Sequence, residues 1–225
     1  MNDLTFTSPA DNIWWVQGST PDYIVDELTL LSKDAVEKKL PIFNRELAGF
    51  IKKEYKVTHT QKFNTFLTST YFYYLKQIRK ITKEKKLIYN NNIEVSKQWI
   101  NLQSKFESNP IHTHSGVISY VFWHKIPYTH KEEKEACEGG NDNPADFRFV
   151  YSNSNNLFDY TNKNSTRYLI FDNLEIYKNM ENTFCIFPAW LAHSVGQFTT
   201  SDEYRITFSG NFLNSEPKKT ESTLL

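Results

Sequence analysis

The sequence is poor in cysteine and in long apolar runs, and each shortage excludes a class of protein. Only Cys137 and Cys185 occur among the 225 residues, so a scaffold held by several disulfides is excluded. No stretch approaches the roughly 18 consecutive apolar residues that a membrane helix needs. Residues 1–17 also lack the basic-then-apolar order of a secretory signal. We therefore expect a soluble, cytoplasmic protein with two reduced thiols and no membrane partner.

The chain also lacks net charge, since 26 basic residues balance 26 acidic ones and the pI is about 7.0. This argues against a generic nucleic-acid coat or a polybasic membrane binder. The neutrality is nevertheless a cancellation, because residues 51–86 carry 10 basic and 2 acidic side chains whereas residues 1–50 are net acidic. Segment 51–86 is interpreted as a solvated helix face, with a docking surface for an acidic partner or nucleic acid as the alternative.

Hydrophobic periodicity divides the chain into a helical part and a β-rich part. Residues 1–92 are predicted to be a mainly helical support region, with apolar stripes at helical spacing in 22–31, 41–55 and 63–81. The following residues, 93–213, alternate between apolar and polar positions in short runs, which is typical of an antiparallel sandwich or barrel. Residues 214–225 form a polar tail, and we expect the whole chain to be one integrated α+β domain.

Six short runs are predicted to be strands, and two polar segments between them, 129–146 and 153–166, are predicted to be loops. The runs are Ile93–Gln103, Gly116–Trp123, Phe147–Tyr151, Tyr168–Phe171, Thr183–Phe187 and Tyr204–Phe212.

Three histidines are the strongest candidates for metal ligands. His112 and His114 lie where a loop enters the run 116–123, and histidines two residues apart on an extended strand point to the same side. His193 follows a later β-run and a proline turn. By contrast, His59 in the helical region is expected to be solvated.

Arginine is scarce, with five residues in all, and Arg205 begins a β-run in which Thr207 shares its face. A buried guanidinium needs partners, and a bound carboxylate would accept two parallel hydrogen bonds from it.

The order His112-x-His114, then His193, then Arg205-x-Thr207 resembles the iron(II)- and 2-oxoglutarate-dependent oxygenases, and especially oxygenase-like proteins of bacteria and phages. The resemblance covers about residues 93–213 and implies a double-stranded β-helix, which is a jelly-roll or cupin-like barrel, carried by the N-terminal helices. It implies that His112, His114 and His193 bind Fe(II), and that Arg205 and Thr207 hold the far carboxylate of 2-oxoglutarate. Further cosubstrate contacts are implied at Asn101, Gln103 and Tyr120.

The activity implied is a dioxygenase or hydroxylase reaction that consumes oxygen and forms succinate, with ascorbate as reductant. One departure is important, because His114 stands where the family pattern has Asp or Glu. Three neutral histidines leave the metal's charge unreduced and also suit zinc or copper. A carboxylate from the polar loop, Asp142 or Asp146, is an alternative ligand.

Two other functions are kept as alternatives. A cupin-type metal-dependent dioxygenase or isomerase would share the histidine spacing, but it has no required role for Arg205. A non-enzymatic jelly-roll binding module would use the histidines structurally. The substrate is left open between a protein side chain, a nucleobase and a small metabolite, and a homodimer is also left open.

Overall fold

Alternating apolar side chains build two antiparallel sheets in the computed structural model, which describes residues 3–10, 13–44, 49–82, 93–139, 144–151 and 170–215. In chain order the strands are β1 (Thr5–Ala10), β2 (Ile13–Ser19), β3 (Glu54–Lys56), β4 (Ile93–Gln103), β5 (Asn109–His112), β6 (Ile118–Lys125), β7 (Phe147–Tyr151), β8 (Ile170–Leu174), β9 (Thr183–Pro188), β10 (Ala192–Val195) and β11 (Arg205–Asn214). The larger sheet has the order β1-β2-β9-β6-β11-β4-β3, and the smaller sheet has the order β5-β10-β7-β8.

Two long helices, α1 (Asp22–Val36) and α2 (Gln61–Thr82), cover one face of the larger sheet. Their buried positions follow a helical repeat, as in α2 with Phe63, Phe66 and Leu67. A shorter helix, α3 (His130–Ala136), starts at a capping box, in which Thr129 and Glu132 bond to each other's backbone N–H.

Strand β6 separates the two parts of the hydrophobic core, because successive side chains of a strand point to opposite faces. Tyr120 and Phe122 pack in the cluster that includes the helices. Val121 and Trp123 point the other way and pack with Phe147 of the smaller sheet. The inner face of the larger sheet, on the Trp123 side, therefore faces the smaller sheet, and this is where the histidines lie.

The predicted strands are confirmed for β4, β6, β7, β9 and β11. Residues 168–169 of the Tyr168–Phe171 prediction, the polar segment 153–166 and the tail beyond residue 215 lie outside the described residues. The polar segment 129–146 was predicted to be a loop, but part of it forms α3.

The prediction of a mainly helical N-terminal region is wrong in two places. Residues 5–10 and 13–19 form the hairpin β1–β2, and β2 pairs with β9 of the larger sheet. The apolar stripe in 41–55 is not a helix where it is described, because Tyr55 belongs to β3, which pairs with β4. Non-local pairing has overridden the local periodicity in both segments. No helix within the described ranges is long and apolar enough to cross a membrane.

Candidate metal centre and adjoining cavity

Two short strands of the smaller sheet bring the three histidines together. β5 pairs antiparallel with β10, and in this register His112 lies directly opposite His193. His114 follows the end of β5, where its backbone N–H donates to the carbonyl oxygen of Ala189 at 2.9 Å. The sequence-predicted triad is thus assembled by pairing between segments about 80 residues apart.

The geometry of the triad suits one metal ion. The ligand atoms of His112, His114 and His193 all lie within 4.8 Å of one another. Their ring centroids are separated by 4.3 to 5.0 Å. Among the described residues this is the one group of three or more metal-binding side chains that lies so close together. Asp146 is not part of the group, and Asp142 lies outside the described residues.

Backbone contacts orient two of the imidazoles. Nδ1 of His112 lies 2.7 Å from the carbonyl oxygen of Pro110, and Nδ1 of His193 lies 2.9 Å from that of Leu191. A carbonyl oxygen can only accept, so in each ring Nδ1 carries the proton and Nε2 keeps its lone pair. This is how metal-binding histidines are usually held.

Burial keeps the triad uncharged. Desolvation lowers the pKa of His193 to about 3, helped by the neighbouring His112. The same two causes lower the pKa of His114 to about 4. The pKa of His112 is also lowered by burial. Near neutral pH all three rings are therefore neutral, which is the protonation state that metal binding requires.

The triad borders a cavity of about 260 Å³ between the two sheets. One wall is apolar and includes Trp99, Trp123, Phe147 and Phe187. The other wall is polar and is built by the neighbouring strands β3, β4 and β11. Their register places Glu54, Asn101 and Thr207 side by side. A cavity with an apolar wall, a few polar groups and a metal site at its edge is typical of a small-molecule site.

Arg205 lies at the polar wall and is 1% exposed. Its five N–H groups all donate to neutral oxygens of the protein, at 2.5 to 3.0 Å. The acceptors are Gln103 Oε1, which accepts twice, the Tyr128 hydroxyl and the carbonyls of Ala145 and Gly196. No ion pair of the described residues involves Arg205. The guanidinium is thus fully hydrogen-bonded, while its charge is not neutralised by a contacting carboxylate.

The other predicted cosubstrate residues fall into two groups. Gln103 and Asn101 face the cavity: Gln103 holds Arg205, and Asn101 Nδ2 donates to Thr207 Oγ1 at 3.0 Å. Since Thr207 Oγ1 accepts that bond, its own proton is free to donate to a ligand. Tyr120 borders the cavity, but its side chain packs in the cluster with α2 and accepts a hydrogen bond from Gln98. These contacts favour a packing role for Tyr120 over a contact with the cosubstrate.

Sequence reasoning missed two polar residues at this site. Glu54 lines the cavity although it lies in a segment that was predicted to be helical and basic, and no local pattern marks it. The hydroxyl of Tyr128 accepts a hydrogen bond from Arg205, and the guanidinium carbon lies 5.9 Å from the centroid of the Tyr128 ring. Tyr128 follows a proline turn, and no sequence pattern marked it as a site residue.

The comparisons agree with this geometry. Residues 97–211, about half of the chain, match the family described as "Putative 2OG-Fe(II) oxygenase". A search of curated proteins gave no match. Among solved structures, a prolyl-4-hydroxylase from Pseudomonas putida superposes with a TM-score of 0.52 at 11% identity, covering 90% of this chain and 93% of its own.

OsALKBH1 superposes with a TM-score of 0.55 at 10% identity, covering 92% of this chain and 99% of its own. At such low identities these two structures show a shared fold and carry no information about substrate. The matched segment holds all three histidines together with Arg205 and Thr207. The chain belongs to the 2OG-Fe(II) oxygenase family and is an oxidoreductase.

Proposed function

We propose that the chain is an iron(II)- and 2-oxoglutarate-dependent dioxygenase or hydroxylase that uses His112, His114 and His193 as its metal ligands. The observation that carries the proposal is the convergence of three neutral imidazoles, two of them oriented by backbone carbonyls, at the edge of a cavity that also contains a buried, unneutralised guanidinium. The family match favours this function over a cupin-type enzyme, whose chemistry gives Arg205 no role, and over a non-enzymatic binding module.

The strand order supports a double-stranded β-helix as the core. Counting β4 to β11 as eight successive strands, the central part of the larger sheet contains the first, eighth, third and sixth, and the smaller sheet contains the second, seventh, fourth and fifth. Chain segments that alternate between two sheets in this way wind into a jelly roll. β1, β2 and β3 extend the larger sheet on both edges, so we also propose that residues 1–92 belong to the same integrated domain.

Each proposed ligand fits a different part of the site. Nε2 of His112, Nε2 of His193 and one ring nitrogen of His114 would hold the metal, and the bound iron and 2-oxoglutarate would supply the oxidising chemistry. Thr207 is free to donate its hydroxyl proton to the far carboxylate of 2-oxoglutarate. A carboxylate would neutralise the charge of Arg205. One N–H of the guanidinium would then donate to the carboxylate oxygen instead of to one of its neutral protein acceptors. Gln103 and Asn101 would orient Arg205 and Thr207 rather than bind iron.

The apolar wall would exclude water from the reacting centre, since Phe147 and Phe187 are almost completely buried and their rings contact His193. Oxygen and ascorbate remain the expected cosubstrate and reductant. The identity of the organic substrate, a homodimer, the cytoplasmic location and an acidic partner at residues 51–86 remain predictions from the sequence.

A two-part experiment tests the proposal. The protein is loaded with iron(II) without oxygen and its metal content is measured, next to the variants His112→Ala and His130→Ala. His130 is the matched control because it is a histidine of α3 outside the triad. We expect one iron in the parent and in the control, and loss of iron from His112→Ala.

The loaded protein is then given oxygen, ascorbate and 2-oxoglutarate, and succinate is measured. We expect slow succinate formation by the parent and by His130→Ala, and none by His112→Ala. Equal metal content in the parent and in His112→Ala would overturn the metal site. A protein that holds iron but neither binds 2-oxoglutarate nor forms succinate would overturn the cosubstrate assignment.

A further inference from the structure

Three side-chain oxygen atoms of residues that line the cavity have no hydrogen-bond partner among the described residues: Oε1 of Glu54, Oδ1 of Asn101 and Oδ1 of Asn109. Those of Glu54 and Asn101 belong to neighbouring strands of the larger sheet. Glu54 is 3% exposed and Asn101 is 6% exposed, and both side chains line the cavity beside the histidines. Buried polar atoms are rarely left without a partner, and each such case calls for a missing ligand or water. An amide oxygen only accepts, so the partner that Asn101 Oδ1 lacks is a donor, and the ionised form of Glu54 would accept from the same donor.

The sheet register places the two oxygens on one side of the same pair of strands. Glu54 of β3 lies directly opposite Asn101 of β4. Directly opposed side chains in an antiparallel pair have Cβ atoms only about 5 Å apart and share one face. Asn101 is fixed from its other side, because its Nδ2 donates to Thr207. The free Oδ1 of Asn101 and the carboxyl group of Glu54 are therefore available to the same ligand group.

The electrostatics of Glu54 favour a cation over a neutral donor. Burial raises the pKa of Glu54 to about 8, and the charge of Glu107 adds to the rise. Lys97 also borders the cavity, where its ammonium lies 5.9 Å from the ring centroid of Phe43. Near pH 7 the carboxyl group of Glu54 is thus neutral in the free protein, and a positively charged group arriving beside it would favour its ionisation.

We propose that Glu54 and Asn101 form a subsite that binds a positively charged nitrogen group, an ammonium or a guanidinium, of the organic substrate. The inference rests on the proposed function, since it names a substrate class for the same cavity. In the complex, Glu54 releases its proton to solvent and accepts a charge-assisted hydrogen bond, and Asn101 Oδ1 accepts a second N–H of the same group. A guanidinium or an ammonium can donate to both oxygens at once.

Methylguanidinium is the cationic probe, and methylurea is its neutral counterpart of similar shape. Each is titrated at pH 7 into the metal-loaded full-length protein, and into the variants Glu54→Gln and Glu203→Gln. Gln at position 54 keeps the size and one acceptor oxygen but loses the charge. Glu203 is the matched control, because it is an exposed acid that pairs with Lys125 at the surface. Calorimetry gives the affinity, and infrared difference spectra follow the conversion of a carboxyl group to a carboxylate.

The parent protein should bind methylguanidinium at least about tenfold more tightly than methylurea, with loss of the carboxyl band and gain of carboxylate bands. Glu54→Gln should weaken methylguanidinium binding at least about tenfold and abolish the infrared change, because a hydrogen bond to a charged group is lost. Glu203→Gln should behave as the parent does.

Three outcomes would overturn the subsite. Methylguanidinium does not bind, or it binds without the infrared change, or it binds equally well to Glu54→Gln. A Glu54→Gln variant that loses affinity for 2-oxoglutarate instead overturns it too, and would make Glu54 a donor to the cosubstrate. If the variant fails to fold, the absence of the infrared change in the parent still overturns the subsite. The titrations need no turnover, so a protein that forms no succinate would refute the proposed function separately.

Discussion

Replacing Arg205 with Met tests two roles of this residue separately. One is to hydrogen-bond the protein oxygens around it, and the other is the proposed binding of the far carboxylate of 2-oxoglutarate. Methionine fills the volume of the aliphatic stem and removes the charged fork. The change leaves three neutral oxygens without their donor, those of Gln103, Tyr128 and Ala145, whereas the carbonyl of Gly196 keeps the hydrogen bond from Gln103 Nε2. Each buried acceptor left unsatisfied costs about 1–3 kcal/mol. Removing a buried cation that has no contacting carboxylate regains part of this cost, because its desolvation penalty disappears.

We therefore expect Arg205→Met to lower the free energy of unfolding by roughly 2–4 kcal/mol, since the lost acceptor bonds exceed the relieved desolvation. Urea unfolding of the metal-loaded protein measures this. Calorimetric titration with 2-oxoglutarate, under nitrogen to prevent turnover, measures the second role. Loss of one charge-assisted hydrogen bond to the carboxylate predicts an affinity about 10- to 100-fold weaker. Metal content should be unchanged, because none of the three histidines contacts the guanidinium network.

Arg205→Lys is the matched variant for this prediction. Lysine keeps the charge but offers three donors from a single nitrogen, so it cannot reproduce the fork that reaches four acceptors. Its affinity for 2-oxoglutarate should fall between those of the parent and Arg205→Met, while its stability should fall nearly as far as that of Arg205→Met. If folded Arg205→Met binds 2-oxoglutarate as tightly as the parent, Arg205 is a structural residue and its assignment to the cosubstrate is refuted.

Two further predictions concern regions around the site. The pKa of buried His59 is lowered by desolvation, and that of Glu27 is lowered because hydrogen bonds from His59 and Thr60 outweigh its burial. Glu27→Gln should therefore cost about 1–3 kcal/mol at pH 7, and this loss should fade as the pH falls from the ordinary pKa of a glutamate through the lowered pKa of Glu27. Urea unfolding from pH 7 to below that lowered pKa measures the loss. A loss that stays constant over the whole range would contradict the prediction. At Gly116 φ is +117°, and an added Cβ would lie 2.6 Å from a backbone oxygen, so Gly116→Ala should lower the melting temperature. Gly139 has open space around it, so Gly139→Ala should leave the melting temperature unchanged. Equal shifts in the two variants would contradict this prediction.

The chemistry of the site was predictable from the sequence because short motifs carry it. His112 and His114 come from one motif, and the grouping of Arg205 with Thr207 follows from the two-residue period of a strand. The register then adds what the motifs lack, by placing Asn101 opposite Thr207 and His112 opposite His193. The assembly of the triad depends on pairing between distant segments, which local patterns do not encode.

The failures have the same physical origin. The stripe in 41–55 has helical spacing, yet Tyr55 is buried by pairing with Ile100 of β4, and Phe50 at the same spacing is 72% exposed. His59 was expected to be solvated but stacks on Phe63 with ring centroids 3.7 Å apart, because α1 and α2 close over it. Such outcomes are decided by tertiary contacts, which outweigh single-segment propensities.

The position of Glu54 in the cavity was the hardest feature to predict from the sequence. It is one of two acidic residues in the basic segment 51–86, and such a context is typical of a surface charge. Its place in the cavity follows from β3 adding to the edge of the larger sheet beside Asn101. Strand β3 has only three residues, which are too few for the two-residue period of a strand to be recognised in the sequence.

The charges of the cavity connect the third histidine, Arg205 and Glu54. A carboxylate ligand would cancel one charge of a divalent metal, and His114 does not. With Arg205 bonded only to neutral oxygens and Lys97 also bordering the cavity, the metal-loaded cavity would hold a surplus of positive charge that attracts dianionic 2-oxoglutarate and is not fully cancelled by it. Under these conditions a cationic substrate would be repelled unless the cavity supplied a negative group. A protonated Glu54 meets this requirement, because it loses its proton as the cation arrives, so that binding leaves the net charge of the cavity unchanged.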